Sequence, residues 1–332
     1  MSTITAATAA HLTSAQIPGH FETPSVKKLS EAKVGKRMAT ARRLTGIEFA
    51  RPEDLTPLLL DLYLPDAPQQ SGALPAVVHF HGGGWRVGAR SSFGPALDSL
   101  KLNPIERLVG AGFVVASAEY RLSSVARFPA QLLDAKAAIR WVRANAGNCN
   151  VDPDRIFAWG DSAGGHLASL VGLTGGSNDY PGHADDTGEL RHIDDTVGAV
   201  AAWYPPTDLL SMGSQSLPGA AASADDPGSR EALLLGAQPA AAPEKAAAAS
   251  PVAYVGHHPL PFLLAHGTED RFVPPAQSTT FASALEAAGA DVELLLIEGA
   301  DHMWQLPEQN TTAAVTAIEN TIRFFRRHAD KP

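Results

Sequence analysis

The sequence predicts an α/β fold with a mostly parallel central sheet covered by helices on both faces. Six short apolar runs alternate with longer helical patterns, at residues 76–80, 113–120, 155–160, 197–204, 261–267 and 292–298. Strands that are apolar throughout, rather than at every second residue, are typical of parallel sheets buried on both sides. Upstream, residues 45–50 and 58–64 lie close together and the second run partly alternates, which predicts an antiparallel start to the same sheet.

The two most regular helical patterns fit that sheet. Residues 128–146 place Leu132, Ile139 and Val142 on one face and charged side chains on the other. Residues 311–328 carry apolar side chains at helical spacing and three basic residues in the last turn, where the helix dipole favours positive charge. We expect this second helix to close the sheet.

Composition argues against several classes of protein. The 332 residues are 45% hydrophobic and 18% charged, as in an ordinary globular domain. A net charge of −9 without a stripe of lysine or arginine argues against nucleic-acid binding. No apolar run approaches the ~20 residues that span a bilayer, so no membrane partner is expected. Cys149 is the only cysteine, and residues 1–10 do not resemble a secretory signal, so a cytoplasmic location is expected.

A serine stands in a sequence typical of a nucleophile elbow. Residues 157–165 read Phe-Ala-Trp-Gly-Asp-Ser-Ala-Gly-Gly, which places Ser162 in Gly-x-Ser-x-Gly between an apolar run and a helical pattern. A serine hydroxyl is a weak nucleophile, so it must be presented on a strained turn to a histidine and to backbone amides. Gly160 and Gly164 leave room for such a turn. The alternative is an accidental turn, because small residues are abundant in this chain.

A glycine-rich loop follows the first predicted parallel strand. The sequence His81-Gly82-Gly83-Gly84-Trp85 lets backbone amides approach a reacting oxygen, and Gly82 and Gly83 are the predicted donors of an oxyanion hole. The alternative of a phosphate-binding loop would need Gly-x-x-x-x-Gly-Lys-Ser/Thr, which is absent. An elbow downstream of a glycine-rich loop, after another strand and helix, favours the oxyanion hole.

Polar loops after the last two predicted strands supply an acid and a base. Loops at the carboxyl ends of neighbouring parallel strands converge, so Asp270 and His302 can meet the elbow serine. The chain order is then Ser162, Asp270, His302. Glu269 and Asp301 are competing acids; Asp270 is preferred because it lies deeper in the turn. Two other histidines have structural explanations: His81 is expected to fix its loop by a hydrogen bond, and His166 to face packing or solvent. Asp161 is expected to support the turn of the elbow.

Together these motifs resemble the α/β-hydrolase superfamily, and more closely bacterial esterases similar to hormone-sensitive lipase and to acetyl-xylan or feruloyl esterases. The resemblance covers residues 45–328 and includes Glu119-Tyr120-Arg121-Leu122, after which Ser123-Ser124-Val125 replaces the Ala-Pro-Glu of hormone-sensitive-lipase-like enzymes. It implies an α/β-hydrolase fold with Ser162 as nucleophile, His302 as base, Asp270 as the residue that orients it, and oxyanion donors at Gly82, Gly83 and Ala163.

The predicted function is therefore a serine carboxylesterase for short- to medium-chain acyl or aryl esters, with a small-molecule ester as partner and no cofactor. An amide, carbamate or formamide hydrolase and a non-catalytic binding protein with the same fold are the alternatives. Aromatic and apolar side chains near the loops are candidates for the substrate pocket, with core packing as the alternative: Trp85, Phe93, Tyr204, Phe272, Met303, Trp304 and Leu306. A homo-oligomer is left open.

Two regions lie outside this pattern. Residues 1–44 have little apolar periodicity and are predicted to be an N-terminal extension to a catalytic domain at 45–332. Residues 206–251 are rich in Ala, Ser, Gly and Pro, which is typical of a loop or linker. Because this insertion follows a strand on the ligand side of such sheets, we expect it to form a small lid with the N-terminal segment, against the alternative of a plain surface loop.

Overall fold

The computed structural model describes residues 33–34, 41–52, 56–66, 72–98, 103–177, 190, 192–257, 259–308 and 310–330. Within these residues the strands form one nine-stranded sheet in the order β1-β2-β3-β5-β4-β6-β7-β8-β9. The strands are β1 Lys33–Val34, β2 Ala41–Ala50, β3 Leu58–Pro65, β4 Leu74–Phe80, β5 Val114–Ala118, β6 Val151–Asp161, β7 Val200–Trp203, β8 Phe262–Gly267 and β9 Val292–Ile297. The pairs from β1 to β5 along this order are antiparallel, and those from β5 to β9 are parallel.

Helices cover both faces of the sheet. They are α1 Pro95–Asp98, α2 Pro104–Gly110, α3 Ala130–Ala144, α4 Ala163–Thr174, α5 Met212–Gln215, α6 Arg230–Leu235, α7 Pro243–Ala248, α8 Ala276–Ala287 and α9 Thr312–Ala329. Strand β4 is buried along its whole length, with Val78 in one apolar cluster and Val77 in the other. Helices α3 and α4 contribute to the first cluster, and α2 and α9 to the second. The predicted α/β class is therefore confirmed.

The predicted parallel strands and the two long helices occur within a few residues of their predicted bounds. The helix predicted at 128–146 spans Ala130–Ala144, and the one predicted at 311–328 spans Thr312–Ala329. Among the described residues, no helix combines the length and apolar character that a bilayer crossing requires.

Two observations bear on the predictions for the outlying regions. Strand β2 begins at Ala41 and continues through the predicted domain boundary between residues 44 and 45, because its ladder with β3 is already formed at Arg42 opposite Leu64. Most of the predicted N-terminal extension lies outside the described residues. The Ala-rich tract at 237–249 is not a plain loop: it contains a 3₁₀ turn at Pro239–Ala241 and helix α7, with Ala246 and Ala249 fully buried.

Candidate active site

Ser162 stands on a sharp turn between β6 and α4. Its backbone has φ 51° and ψ −118°, a conformation that non-glycine residues rarely adopt. Glycines make this turn possible: a Cβ on Gly164 would lie 1.9 Å from the carbonyl oxygen of Phe80, and one on Gly160 would lie 2.3 Å from the carbonyl carbon of Gly164. The Ser162 amide donates to Trp203 O at 2.8 Å. The turn thus presents the serine at the carboxyl edge of the sheet, with 9% of the residue exposed.

The imidazole of His302 lies between a carboxylate and this serine. His302 Nδ1 is 2.7 Å from Asp270 Oδ2, and His302 Nε2 is 3.1 Å from Ser162 Oγ. The three side chains come from the turn after β6 and from the loops after β8 and β9, as the sequence predicted. Because an ionised Asp270 can only accept, Nδ1 carries the proton and Nε2 is left to accept from the serine hydroxyl.

Asp270 is held as an anion. Its Oδ1 accepts from the amides of Phe272 and Val273 at 2.9 and 2.8 Å, and its Oδ2 also lies 3.3 Å from His266 Nε2. Burial alone would raise the pKa of Asp270, but the electrostatic interaction with His302 and the hydrogen bonds from His266 and His302 outweigh it and hold the pKa well below the usual value. His266 has its own partners, Ser278 Oγ and Val273 O.

Asp301, the competing acid, binds elsewhere. Its carboxylate accepts from the amide of Arg271 at 3.0 Å, from the guanidinium of the same residue at 2.6 to 2.7 Å, and from the amide of His302 at 2.7 Å. Glu269 is exposed. Asp301 therefore ties the loop of Asp270 to the loop of His302, a connection that sequence reasoning did not anticipate.

The glycine-rich loop after β4 requires a correction at Gly82. The amide of Gly82 donates to Asp161 Oδ1 at 3.1 Å, and Gly82 is not part of the wall of the cavity that holds Ser162. Gly83, Gly84 and Ala163 do line that cavity, and among the described residues no protein acceptor takes their amide hydrogens. Gly82 is thus occupied in fixing the loop to the elbow, and Gly84 takes its place as a candidate donor.

The supporting roles predicted for His81 and Asp161 agree with their contacts. His81 Nδ1 is 2.7 Å from Gly82 O, and its ring stacks on Tyr120, whose hydroxyl donates to His81 O at 2.8 Å. Burial lowers the pKa of His81 to about 4, so the ring is neutral near pH 7 and donates from Nδ1. Asp161 connects the elbow to this loop through Gly82.

A cavity of about 220 Å³ opens above Ser162 and His302. Of the predicted pocket residues, Trp85, Phe272 and Met303 line it. The others are corrected to core positions: Phe93, Tyr204 and Trp304 belong to the second apolar cluster, and Leu306 packs against that cluster. Tyr204 still contributes indirectly, because its ring centroid lies 4.5 Å from that of His302 and supports the imidazole from behind.

The insertion at 206–251 contributes to the same cavity. Pro206, Arg230 and Glu231 form part of its wall. His166 on α4 also connects the insertion to the glycine-rich loop, since its Nδ1 accepts from Trp85 Nε1 at 3.2 Å while its Nε2 lies 2.6 Å from Ala249 O. Sequence reasoning missed these contacts, because composition alone does not show which residues of an Ala-rich segment turn inward.

The fold and the grouping of serine, histidine and aspartate define the class: this is a protein of the α/β-hydrolase fold. The BD-FAE family model matches residues 60–285, more than half of the chain. The chain therefore belongs to the BD-FAE family. The match ends before His302, so the histidine loop is placed by the structure alone.

Three comparisons with known proteins agree with this assignment. The esterase LipQ of Mycobacterium tuberculosis is 31% identical over 256 residues, which cover 75% of this chain and 54% of LipQ. A truncated carbohydrate esterase from gut microbiota superposes with a TM-score of 0.74 at 28% identity, over 90% of this chain and all of that one. The propionate-bound esterase Est2 of Thermogutta terrifontis superposes with a TM-score of 0.65 at 28% identity, over 91% of this chain and 96% of Est2. The chain spans about half the length of the curated relatives it matches.

Proposed function

We propose that this protein is a serine carboxylesterase that hydrolyses short- to medium-chain acyl or aryl esters through an acyl-enzyme intermediate. The observation that carries the proposal is the position of His302, with one ring nitrogen 2.7 Å from Asp270 and the other 3.1 Å from Ser162 Oγ. At these distances His302 can take the proton of the Ser162 hydroxyl, and Asp270 can hold the imidazole in the orientation that this transfer needs. Relatives and neighbours with esterase names support the same reaction.

In the first half of the reaction, Ser162 Oγ attacks the ester carbonyl while its proton passes to His302 Nε2. The imidazolium that forms is stabilised by Asp270, whose low pKa keeps its carboxylate ionised throughout. The tetrahedral intermediate carries a negative oxygen, for which Gly83, Gly84 and Ala163 offer free amides beside the serine. Collapse of the intermediate expels the alcohol, which takes the proton from His302.

In the second half, water takes the place of the alcohol and the same groups act again. His302 removes a proton from the water, the hydroxide attacks the acyl-enzyme carbonyl, and the Ser162 oxygen leaves with the proton from His302. The chemistry uses the residues of this chain alone. The cavity of about 220 Å³ is smaller than the ~300–1,000 Å³ usual for ligand pockets, which favours small acyl groups.

Steady-state hydrolysis of 4-nitrophenyl acetate and butyrate tests the proposal. We expect Ser162→Ala to lose activity by about 10³-fold or more while keeping its thermal unfolding temperature. Ser283→Ala is the matched control, because Ser283 lies on the exposed side of α8 and its hydroxyl only bonds Thr279 O. Full activity in Ser162→Ala would move the nucleophile elsewhere.

An amide or carbamate hydrolase could use the same groups, so esters and anilides with one acyl group should be compared. The ester is expected to react faster, since none of the described residues that bond Ser162 or His302 is placed to bind an amide nitrogen. A non-catalytic binding protein is the alternative from another class, and it would leave 4-nitrophenyl acetate intact. The lid at residues 206–251, the cytoplasmic location and a homo-oligomer stay predictions.

A further inference from the structure

Helix α6 brings a guanidinium group into the candidate active site. Arg230 is the first residue of this helix, directly after Ser229, whose side chain accepts from Ala232 N at 3.0 Å. The half-buried Arg230 lines the same cavity as Ser162. It crosses the glycine-rich loop at close range, since a Cβ on Gly84 would lie 2.1 Å from Arg230 Cδ.

The guanidinium of Arg230 has no acceptor among the described residues. Its charge lies over the face of Phe272, with Cζ 5.3 Å from the ring centroid, and no hydrogen bond or ion pair involves it. Burial raises the pKa of the neighbouring Glu231 and the charge of Arg230 opposes that shift, but the side chain of Glu231 bonds Ser229 and forms no ion pair with Arg230 among the described residues. Arg230 therefore brings to the cavity wall a guanidinium whose N–H donors have no acceptor among the described residues.

The contacts of Phe272 indicate which part of a substrate Arg230 would meet. The Phe272 ring centroid lies 5.4 Å from that of His302, the group that returns a proton to the leaving alcohol in the proposed mechanism. A second cavity of about 480 Å³ shares Phe272, Arg230 and Glu231 with the first and adds Arg86, an exposed side chain that also lacks an acceptor among the described residues. Asp226 and Glu231 are the acidic residues of this second cavity.

We propose that Arg230 binds a carboxylate on the alcohol portion of the ester, so that the preferred substrates are esters of carboxylated alcohols or phenols. This inference rests on the proposed function. The planar guanidinium matches a carboxylate through two parallel hydrogen bonds, and the face of Phe272 holds it in one orientation. Arg86 adds a second positive charge in the adjoining cavity, which shares Arg230 and Phe272 with the cavity of Ser162.

The test compares 4-acetoxybenzoate with 4-acetoxybenzamide, two acetates that differ in the charge of the leaving phenol. We expect Arg230→Gln to lower kcat/KM for the anionic ester by about tenfold or more, the effect of losing a charged hydrogen bond, and to leave the neutral ester nearly unchanged. Arg230→Lys should keep part of the preference, because the charge remains without the planar fork. Arg323→Gln on α9 is the control for net charge, since Arg323 is exposed and lines neither of the two cavities.

Each outcome decides one of the two proposals. An equal loss for both esters, or no loss for either, would overturn the role of Arg230. If the wild type hydrolyses neither ester, the proposed function fails, and Arg230 is then judged by calorimetric binding of 4-hydroxybenzoate to the wild type and to Arg230→Gln. Binding that Arg230→Gln abolishes supports the carboxylate site, and equal binding contradicts it. Thermal unfolding of each variant shows whether it is folded.

Discussion

Asp270→Asn is the substitution whose effect follows most directly from the contacts of the site. The side-chain oxygen Oδ1 accepts from two backbone amides, of Phe272 and Val273. An asparagine must place its carbonyl oxygen there, since an NH₂ group would face two N–H donors. The amide nitrogen then replaces Oδ2 and points its hydrogens at Nδ1 of His302, which was 2.7 Å from the carboxylate.

This exchange reverses the tautomer of the imidazole. His302 Nδ1 must now accept, so the proton moves to Nε2, and the nitrogen that faces Ser162 Oγ at 3.1 Å can no longer take the serine proton. We expect kcat to fall by about 10³–10⁴, which is about 4–5.5 kcal/mol of activation free energy. The new N–H also opposes His266 Nε2, 3.3 Å from the original oxygen, so the free energy of unfolding should drop by about 1–3 kcal/mol.

The assay is the steady-state rate on 4-nitrophenyl acetate, with urea unfolding measured on the same samples. Glu269→Gln is the matched control, because it removes the same charge from the exposed neighbouring position of the loop. We expect the control to behave as the wild type. A loss in kcat below about tenfold for Asp270→Asn would show that the correct tautomer of His302 does not depend on this carboxylate.

Three further predictions follow from the same contacts. Gly164→Ala should lower the free energy of unfolding by about 1–3 kcal/mol or more, since its Cβ would lie 1.9 Å from Phe80 O, whereas Gly147→Ala, with no atom within 4 Å, should be neutral in the same urea titration. Asp301→Asn keeps an acceptor for the His302 amide but loses the Arg271 ion pair, so kcat should fall only a few-fold, about 1 kcal/mol; a loss as large as that of Asp270→Asn would make Asp301 the acid. Because the pKa of Asp270 is lower in the folded state than its ordinary 3.8, the carboxylate stabilises the fold above that pH. The stability difference between wild type and Asp270→Asn should therefore be constant near neutral pH and shrink as the pH falls below about 4, and a difference that instead grew on acidification would contradict the assignment.

The sequence predicted the architecture well where strand and helix patterns are regular. The apolar run before the glycine-rich loop became β4, and the elbow motif lies where β6 meets α4. The acid and the histidine followed from topology, since loops after neighbouring parallel strands share one edge of the sheet. These inferences needed only the order of elements, which hydrophobic periodicity carries.

The sequence could not predict which way the backbone amides and side chains of a loop point. Three consecutive glycines look equivalent, yet Asp161 takes the amide of Gly82 and leaves Gly83 and Gly84 facing the cavity. Tyr204 and Trp304 lie next to site residues along the chain but turn into the core, Trp304 at φ 62° and Tyr204 at φ 38°. Such positive φ values depend on tertiary packing, and no local sequence pattern predicts them.

The insertion shows the same limit for composition. Its Ala-rich part predicted a loop, but Ala246 and Ala249 are buried and the carbonyl of Ala249 meets His166. Small residues pack closely as easily as they form linkers, so their meaning depends on what faces them. Sequence reasoning did not predict a role for Arg230 for the same reason. Nothing around it in the sequence indicates that α6 borders the cavity that holds Ser162.

Covalent labelling reports directly on whether Ser162 is an activated nucleophile. A fluorophosphonate probe should react once per chain, and peptide mass spectrometry should place the adduct on Ser162, with the labelling rate sharply reduced in Asp270→Asn. A label on another residue, or none on folded protein, would contradict the account of Ser162 as a nucleophile activated by His302.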